Sequence, residues 1–561
     1  MKSWRFAAVG LLVLVGCKKN EPPSPVWPAP APEWLAGRLP ADVGEGVPKR
    51  GGVLVVRVPN EPAGLSLLHD QMAEGWMRRY TQGPLYETLA EMDRATHPRY
   101  DLKPLLAESW SESPDRLTLT VRLRRGVQFH NGALLTAGDL RAVMDAIMNP
   151  KNLTKSLASY FVDVAGYEVK DAYTFVLRWK KPYVLATRTF LTAVPLMPAS
   201  ALEGDFDGLP IHRAPIGTGP FQFVSWETNR SITYARFPRY WGPASPLDRI
   251  VIRLVKDHTV ATQLWERGEF DLMTFIQPTV WRSIEAPGPK NAWAQKGYHR
   301  VMFFENNYSW LGWNEARPFF QDKQVRRALG MLYPAQKVAK NIDLQLEEPT
   351  TCPYYRDSDS CDRAVQPLPY DVSAARALLA QAGWKDSNGD GVLDQEGRPF
   401  RFTFLANPHS VRMNKLLPLL QEEYRQVGIE MDIEKVETAV FFSRLRAHDF
   451  DAASLSWSTT DRVQDNYQIF HSSQIEGGSN FVSYSNPEVD RTLEAIRTEL
   501  DDARRAALER KVHRLLYEDQ VYTFLTHRAA LDAAKTHVRG LAPALNWYDL
   551  RKVWLAGPVG R

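Results

Sequence analysis

Strand-like and helix-like patterns follow one another along the same stretch of this chain, between residues 50 and 255. Residues 116–123 alternate polar and apolar side chains, a period of two that is typical of a half-buried strand. Thr136 then fits an N-cap, and apolar residues recur on one face of the helix that it opens: Leu140, Val143, Met144 and Ile147. Similar strand patterns occur at residues 53–58, 174–179, 221–226 and 250–255. The sequence therefore predicts strands and helices within the same unit.

The composition is that of a protein with a substantial hydrophobic core. The 561 residues are 44% hydrophobic and 24% charged, which excludes an intrinsically disordered chain. At about 150 residues per domain, this length suggests three or four domains. Basic residues exceed acidic ones by only four, 69 against 65, and no long basic run occurs. The sequence therefore predicts no nucleic-acid partner.

The N-terminus resembles a secretory signal that ends at a cysteine. Lys2 and Arg5 form a basic start, residues 6–15 form an apolar core, and Gly16 precedes Cys17. About ten apolar residues are too few to span a membrane, since a spanning helix needs about 20. We therefore expect a lipoprotein signal peptide over residues 1–16 and a lipid on Cys17. An ordinary signal peptide with an incidental cysteine, or a frayed helix, is the alternative.

Residues 17–48 are predicted to form a tether. Six prolines lie between residues 22 and 32, and proline contributes no amide hydrogen to a helix or a sheet. Such a segment is extended, and acyl chains on Cys17 would hold it at a membrane surface. The rest of the chain would then be extracytoplasmic, in the periplasm or on the outer face of the cytoplasmic membrane. The sequence does not indicate which membrane carries the anchor.

The two remaining cysteines, Cys352 and Cys361, lie in one polar loop. Because disulfides persist outside the cytoplasm, we expect these two residues to form one. A pair of metal ligands is the alternative, but no second cysteine or histidine pair stands at ligand spacing.

Several motifs, taken in chain order, resemble those of the family 5 extracellular solute-binding proteins, the receptors of oligopeptide, dipeptide and nickel ABC importers. They are Leu-Leu-Ala-Glu-Ser-Trp at 105–110, Arg-Arg-Gly-Val-Gln-Phe-His-Asn-Gly at 124–132, Leu-Thr-Ala-Gly-Asp-Leu at 135–140, Pro-Ile-Gly-Thr-Gly-Pro-Phe at 215–221, Tyr-Trp-Gly at 240–242, the helix start at 320–329, and the segment 370–379 with Ala-Gly-Trp at 382–384. The resemblance covers nearly all of residues 50–561.

The resemblance implies an α/β fold of the class II periplasmic-binding-protein type, with two lobes, a hinge and an inserted additional domain. Lobe I would comprise residues 49–86, 210–300 and 522–561. The inserted domain would comprise residues 87–209, and lobe II residues 301–521. The glycines of the crossover motif, Gly217 and Gly219, are the predicted hinge, because glycine tolerates backbone angles that other residues avoid. A tight turn is the alternative interpretation of these glycines.

The candidate ligand site lies at the end of a predicted buried strand, residues 450–457, where a polar loop follows over residues 458–466. Ligands of open α/β sheets bind beyond the carboxyl ends of strands. In peptide-binding members of the family, an aspartate of this loop receives the ammonium group of the peptide. Asp461 and Asp465 both compete for that role, although the family's Asp-Pro is absent here because Asn466 follows Asp465. Solvated loop charges or turn caps are the alternative.

Aromatic and amide side chains complete the predicted pocket: Trp313, Asn314, Trp457 and Tyr484. Core packing is the competing interpretation for each of them. The segment from Asp386 to Asp394 has the oxygen ligands and the glycine of a calcium loop. Gly397, however, stands where a bidentate glutamate is needed, so a glycine-rich turn before a strand is preferred. Glu422 and Glu423 fit the solvated face of a helix.

Enzymatic motifs are absent from the sequence. It has no Gly-x-Ser-x-Gly elbow, no His-Glu-x-x-His and no Gly-Lys-Ser phosphate loop. The family resemblance therefore implies a receptor, which we expect to be non-enzymatic, monomeric and without cofactor or metal. It would bind a short peptide between closing lobes and deliver it to the permease of an ABC importer. A receptor for a nickel chelate, haem or an oligosaccharide, a ligand sensor and a secreted hydrolase are the alternatives.

Overall fold

The fold is mixed α/β, with two large sheets in two separate lobes. The computed structural model describes residues 46–72, 75–93, 96, 100–285, 298–458, 463–541 and 548–556. The predicted signal peptide, Cys17 and nearly all of the predicted tether lie outside these residues. Asp461 also lies outside them.

Lobe I is built on a seven-stranded sheet. Its strands, from one edge to the other, are Tyr298–Phe304, Ala529–Lys535, Leu272–Met273, Val53–Val58, Arg249–Leu254, Ser231–Arg236 and Phe221–Glu227. Val53–Val58 runs parallel to both of its neighbours, and the other pairs are antiparallel. Five of the six residues of Val53–Val58 are buried, as the valine-rich sequence predicts for a central strand covered on both faces.

An inserted unit interrupts lobe I between its first strand and Phe221–Glu227. It contains an antiparallel four-stranded sheet in the order Ala107–Glu112, Thr118–Leu123, Thr174–Trp179 and Val164–Asp171. The helix Ala137–Met148 packs its predicted apolar face inward, where Leu140, Val143, Met144 and Ile147 are buried. These side chains belong to the same hydrophobic cluster as Leu54, Val56 and Ile250 of lobe I. The inserted unit and lobe I therefore share one continuous core.

Lobe II is built on a five-stranded sheet in the order Glu430–Lys435, Arg401–Ala406, Ala452–Ser458, Asn307–Trp313 and Tyr522–Phe524. The first three strands are parallel, and Asn307–Trp313 is antiparallel to both of its neighbours. Each face of the sheet carries its own apolar core. Leu311 and Trp313 face one core and Tyr308 and Trp310 face the other, because side chains alternate along a strand.

The chain crosses between the two lobes through two short segments. Residues 305–306 join Tyr298–Phe304 of lobe I to Asn307–Trp313 of lobe II, and residues 525–528 return the chain to Ala529–Lys535. The two crossings are bonded side by side, since the Glu305 amide donates to the carbonyl oxygen of Arg528 at 3.3 Å. The predicted boundary at residue 300 lies four residues before the end of the lobe I strand at Phe304. The predicted boundary at residue 522 assigns the three residues of the lobe II strand Tyr522–Phe524 to lobe I.

The remaining strands form four short pairs: Ala90–Met92 with Leu102–Pro104, Glu348–Pro349 with Thr526–His527, Asp394–Gln395 with Arg398–Pro399, and Val538–Arg539 with Trp554–Leu555. The other α-helices are Gly75–Thr81, Lys155–Ala158, Ala186–Ala193, His258–Glu266, Pro278–Glu285, Lys323–Met331, Ala335–Asn341, Val372–Gln381, Val411–Arg425, Thr438–Arg446, Tyr467–Phe470, Pro487–Thr498 and Asp502–Asp519. Short 3₁₀ turns occupy Ser159–Phe161, Ala199–Ala201, Phe206–Gly208, Pro210–His212, Pro318–Phe320, Ser472–Gln474 and Leu550–Lys552. Among the described helices, none combines the length and apolarity of a membrane span.

Gly217 and Gly219 lie against the backbone of lobe I and not on either lobe crossing. A Cβ atom at Gly217 would stand 2.1 Å from the carbonyl oxygen of Leu85, and one at Gly219 would stand 2.3 Å from that of Pro84. Neither glycine has a positive φ. Their role in the structure is therefore close backbone packing beside the inserted unit, and the predicted hinge at these glycines does not match the observed connections.

His130 fixes this glycine segment from the side of the inserted unit. Its Nδ1 accepts the amide hydrogen of Gly217 at 3.2 Å, and its Nε2 lies 3.0 Å from the carbonyl oxygen of Gly219. Burial lowers the pKa of His130 to about 4, so the ring is neutral at physiological pH. A neutral imidazole has one acceptor and one donor nitrogen, as these two contacts require.

Two of the sequence motifs meet at the buried carboxylate of Glu87. The hydroxyls of Thr218 and Tyr240 and the indole of Trp241 all donate to it, at 3.0, 2.7 and 2.9 Å. Burial raises the pKa of Glu87 to about 7, although these hydrogen bonds oppose the rise. Glu87 therefore joins the Gly-Thr-Gly-Pro and Tyr-Trp-Gly segments, which are far from it in sequence.

Cys352 and Cys361 form a disulfide in lobe II, with their sulfur atoms 2.05 Å apart. The loop that they enclose packs against the C-terminal helix of the lobe, where the guanidinium of Arg510 donates to the carbonyl oxygen of Asp359 at 2.6 Å. On its other side, Tyr355 packs against Tyr100 of the short hairpin in the inserted unit. The disulfide loop therefore contributes to the contact between lobe II and the inserted unit.

Candidate functional site

A cavity of about 650 Å³ lies between the two lobes. Residues that follow Arg249–Leu254 and Leu272–Met273 line it from lobe I, and the ends of Arg401–Ala406 and Ala452–Ser458 line it from lobe II. Both lobes thus present the carboxyl ends of parallel strands, where ligands of open α/β sheets bind. The volume lies within the range of about 300–1,000 Å³ that is usual for small-molecule sites.

The wall from lobe II is rich in small polar groups. Ser454, Ser456 and Ser458 alternate along one strand and all line the cavity. Asn407 and Ser410 line it from the adjacent segment. Hydroxyl and amide groups both donate and accept hydrogen bonds, so this wall suits a ligand with its own donors and acceptors.

The wall from lobe I includes His258 and Gln277. Beneath them, Arg57 is fully buried and donates to the carbonyl oxygens of Val255 and Thr274, at 2.7 and 3.0 Å. Burial lowers the pKa of the Arg57 guanidinium to about 10, so it stays charged at physiological pH. Burial and the charge of Arg57 together lower the pKa of His258. His258 therefore presents a neutral ring to the cavity.

A group of paired charges lies at one end of the cavity. The guanidinium of Arg412 binds both carboxylate oxygens of Asp343, at 2.7 and 2.8 Å, and lies 3.6 Å from Glu347. Arg528 stands 3.8 Å from the same glutamate, and the Thr526 hydroxyl donates to it. Burial raises the pKa of Glu347, while Arg412 opposes the rise. Each of these carboxylates thus already has a cationic partner within the protein.

Asp465, a predicted ligand contact, does not line this cavity. Its carboxylate accepts a hydrogen bond from the Tyr183 hydroxyl at 2.8 Å and forms an ion pair with Arg497 at 3.1 Å. It also accepts the amide hydrogen of Tyr467 at 3.0 Å. The structure therefore uses Asp465 to join lobe II to the inserted unit. The prediction did not foresee this because Tyr183 lies 282 residues away in the sequence.

The four other predicted pocket residues also pack within lobe II and are not on the cavity lining. Trp313 is buried and donates to the Thr523 hydroxyl at 3.3 Å, and Tyr484 is buried and donates to Asp519 at 2.8 Å. Asn314 is buried and donates to the carbonyl oxygen of Phe450 at 2.8 Å. Trp457 stacks on Trp310 and Phe481. Core packing, the competing interpretation, describes all four in this structure.

The serines that do line the cavity were missed by sequence reasoning. Their signal is nevertheless present, since serines occupy alternate positions of a strand whose preceding residues, Ala452 and Ala453, are buried. A strand in which one face is polar while the sheet is otherwise covered points to a polar cavity over that face.

The candidate calcium loop is held by its own hydrogen bonds. Asp386 accepts the amide hydrogens of Gly389 and Gly391, at 2.8 and 3.0 Å, and Asp390 accepts that of Val392 at 2.8 Å. A two-stranded hairpin and the strand Arg401–Ala406 follow. Over the described part of the chain, no group of three or more His, Cys, Asp or Glu side chains is arranged to hold a metal ion.

Two lobes, two short crossings and a cavity between opposed strand ends define the class of two-lobed solute-binding proteins. The model of the bacterial extracellular solute-binding proteins, family 5, matches residues 101–478, and the chain belongs to this family. Its members are binding proteins that act outside the cytoplasm.

Individual relatives align with most of the chain. The oligopeptide-binding protein AppA of Bacillus subtilis is 27% identical over 531 residues, which cover 91% of this chain and 93% of AppA. Heme-binding protein A of Haemophilus influenzae is 24% identical, over 85% of this chain and 87% of that protein. The solved structure of Bacillus subtilis AppA in complex with a nonapeptide superposes with a TM-score of 0.80 and 26% identity, over 91% of this chain and 100% of that one.

Proposed function

We propose that this protein is the receptor subunit of an ABC importer and that it binds a short peptide between its lobes. The single observation that carries the proposal is the cavity of about 650 Å³ lined by strand ends from both lobes. A ligand that contacts both walls favours the closed arrangement by the difference between its affinities for the closed and open forms. The closed lobes would then present a composite surface to the permease.

A peptide is the preferred ligand for two reasons. The cavity wall carries serine and asparagine side chains that can pair with peptide N–H and C=O groups. One relative that aligns over most of both chains is an oligopeptide-binding protein. A receptor for haem is the second candidate, because another relative is a heme-binding protein. Nickel chelates, oligosaccharides and a sensory role remain alternatives.

Asp461 is the aspartate that we propose for the ammonium group of the peptide. It follows Ser458, the last residue of a strand that lines the cavity, by three positions. A charge-assisted hydrogen bond to a carboxylate contributes about 1.5–3 kcal/mol. Asp465, the other predicted aspartate, is already bound by Arg497 and Tyr183.

The proposed receptor is monomeric, needs no cofactor and has no catalytic role. A lipid on Cys17 would anchor it, and residues 17–48 would keep it near its transporter, where tethering raises the effective concentration. Gly217 and Gly219 have no part in the proposed closure.

Titration calorimetry with short peptides and with N-acetylated copies of them tests this function. We expect micromolar or tighter binding of free peptides, with affinity at least tenfold weaker after acetylation or in Asp461→Ala. Asp432→Ala is the matched control, because Asp432 lies in the same lobe, is exposed and is not on the cavity lining. Equal affinity for free and blocked peptides would remove the role of Asp461.

Mass spectrometry of the ligand that co-purifies with the chain separates the remaining candidates. A peptide supports the proposal, and haem, a nickel chelate or a sugar in its place would assign the receptor to that solute. Cleavage of the peptide during the calorimetric experiment would instead indicate a hydrolase.

A further inference from the structure

The inserted unit touches lobe II at a buried charged contact outside the cavity. The Tyr183 hydroxyl of the inserted unit donates to Asp465 of lobe II at 2.8 Å. Asp465 also pairs with Arg497 of lobe II at 3.1 Å, and the side chains of these two residues are only 9% and 14% exposed. Tyr183 itself is 6% exposed. An ion pair that is this strongly shielded from water is strongly affected by the loss of any partner.

Aromatic rings enclose the guanidinium of Arg497 on two sides. Its central carbon lies 4.5 Å from the ring centre of Tyr183 and 4.6 Å from that of Tyr467. Such cation–π contacts contribute more when the cation is desolvated. Tyr183 of the inserted unit thus contacts both members of this lobe II ion pair: its hydroxyl bonds Asp465 and its ring packs on Arg497.

Backbone and apolar contacts surround this charged group. The amide of Val184 donates to the carbonyl oxygen of Arg497 at 2.7 Å, which is a second hydrogen bond between the inserted unit and lobe II. Val463, two residues before Asp465, packs against the core shared by lobe I and the inserted unit. Nearby, Asn466 donates to the carbonyl oxygen of Pro353 in the disulfide loop at 3.3 Å.

The contacts made by Tyr183, Val184 and Val463 cross between two bodies, whereas the bond from Asn466 to Pro353 lies within lobe II. The inserted unit and lobe I share one apolar cluster and lobe II has two clusters of its own, while Leu346 of lobe II packs into the cluster on the other face of the lobe I sheet. The inserted unit must therefore move together with lobe I when the lobes separate. Within the described residues, it contributes no side chain to the cavity lining, so its contact with lobe II does not depend on the chemistry of a ligand.

We propose that Tyr183, Asp465 and Arg497 form a latch that holds the two lobes closed in the ligand-free chain and so sets the affinity for any ligand. The apparent dissociation constant equals the intrinsic one divided by the fraction of molecules in the binding-competent form. A weaker latch lowers that fraction and weakens binding of every ligand by the same factor.

Hydrogen exchange at the Val184 amide reports this latch directly, since its hydrogen bond exists only while the inserted unit touches lobe II. The measurement uses the ligand-free full chain and does not depend on the proposed peptide function. We expect a protected Val184 in the parent and about tenfold faster exchange in Tyr183→Phe, because one charge-assisted hydrogen bond is lost. Asp465→Asn should exchange faster still, since it leaves the Arg497 charge without its counter-ion.

Tyr167→Phe is the matched control. Tyr167 also donates to an aspartate, Asp145, at 2.6 Å, but both residues lie within the inserted unit, so Val184 should exchange as in the parent. Small-angle X-ray scattering of the same samples should show a larger radius of gyration for the two latch variants only. A local structural role would leave this radius unchanged.

Two results would overturn the latch. One is exchange at Val184 that is equal in the parent, Tyr183→Phe and Asp465→Asn. The other is an unchanged radius of gyration in latch variants whose Val184 exchange has risen. Circular dichroism checks folding, and if Asp465→Asn does not fold, Tyr183→Phe decides, since it removes a single hydroxyl.

Discussion

Lobe I and lobe II are assembled in different ways around similar sheets. One face of the lobe I sheet shares its apolar core with the inserted unit, so the two pack as a single body, while the other face carries a second core. Lobe II fills the cores on both faces of its sheet with its own residues, and a disulfide closes one of its loops. We expect parts that share a core to move together, because a close-packed core resists deformation while short crossings can rotate.

The largest expected effect is a loss of stability in the body formed by lobe I and the inserted unit. Gly217→Ala places a Cβ atom 2.1 Å from a backbone oxygen, and we expect a loss of about 3 kcal/mol or more in the free energy of unfolding. Hydrogen exchange should rise in the seven-stranded and four-stranded sheets and not in lobe II. Gly166→Ala is the control in the same body, because a Cβ there has no neighbour within 4 Å. Equal loss of protection in both lobes would mean that they unfold as one.

Removal of the disulfide should destabilise lobe II and leave the lobe I sheet unchanged. The double variant Cys352→Ala with Cys361→Ala opens a loop with a sequence separation of 9, for which the chain-entropy account gives about 2–3 kcal/mol. Urea unfolding measures the loss, and hydrogen exchange should rise first in residues 351–361. Protection in the inserted unit away from Tyr100 should stay at the parent level. If the lobe I sheet loosened equally, the proposed separation of the two bodies would be wrong.

The smallest effect should be a change in pH dependence confined to lobe II. Burial raises the pKa of Glu315 to about 8 from an ordinary value of 4.5, with Arg326 opposing the rise. Between these values the folded chain holds the proton and the unfolded chain does not, so the free energy of unfolding falls as pH rises. Glu315→Gln removes this loss and should stabilise the protein by about 1–2 kcal/mol at pH 8.

Thermal unfolding at pH 5 and at pH 8 checks this prediction. The gain should be present at pH 8 and nearly absent at pH 5, where the carboxyl of the folded parent keeps its proton. Glu422→Gln serves as the control, since Glu422 lies in the same lobe and its side chain is 50% exposed. An equal gain at both pH values would show that Gln improves packing and that ionisation is not the cause.

Most secondary structure could be predicted from the chain, since it depends on local periodicity. The helix after Thr136 and the strand Thr174–Trp179 are confirmed. Glu423, predicted on a solvated helix face, is instead 1% exposed, and its carboxylate pairs with Lys337 at 2.7 Å. The helical pattern could not reveal this, because Lys337 lies 86 residues away on another helix.

The candidate site was harder to predict for a physical reason. An aromatic residue on a core strand and one on a pocket wall have the same local pattern, so Trp313 and Tyr484 could not be distinguished from pocket residues. The strand before the predicted ligand loop lines the cavity through Ser454, Ser456 and Ser458, whereas the role of Asp461 stays a prediction because this residue lies outside the described part of the chain. The partners of Asp465 depend on how the two bodies meet, which no local pattern encodes.

The position of the strand Ala529–Lys535 in the sequence affects the order in which the two lobes can fold. This strand pairs with Tyr298–Phe304 on one side and with Leu272–Met273 on the other, yet it comes more than 220 residues after both. Because a chain is synthesised from its N-terminus, all strands of lobe II are available before the strand Ala529–Lys535 is made. The lobe I sheet must wait for nearly the last segment of the chain, and such distant pairing is intrinsically slow. Truncation near the C-terminus would therefore affect mainly the lobe that contains the N-terminal strand.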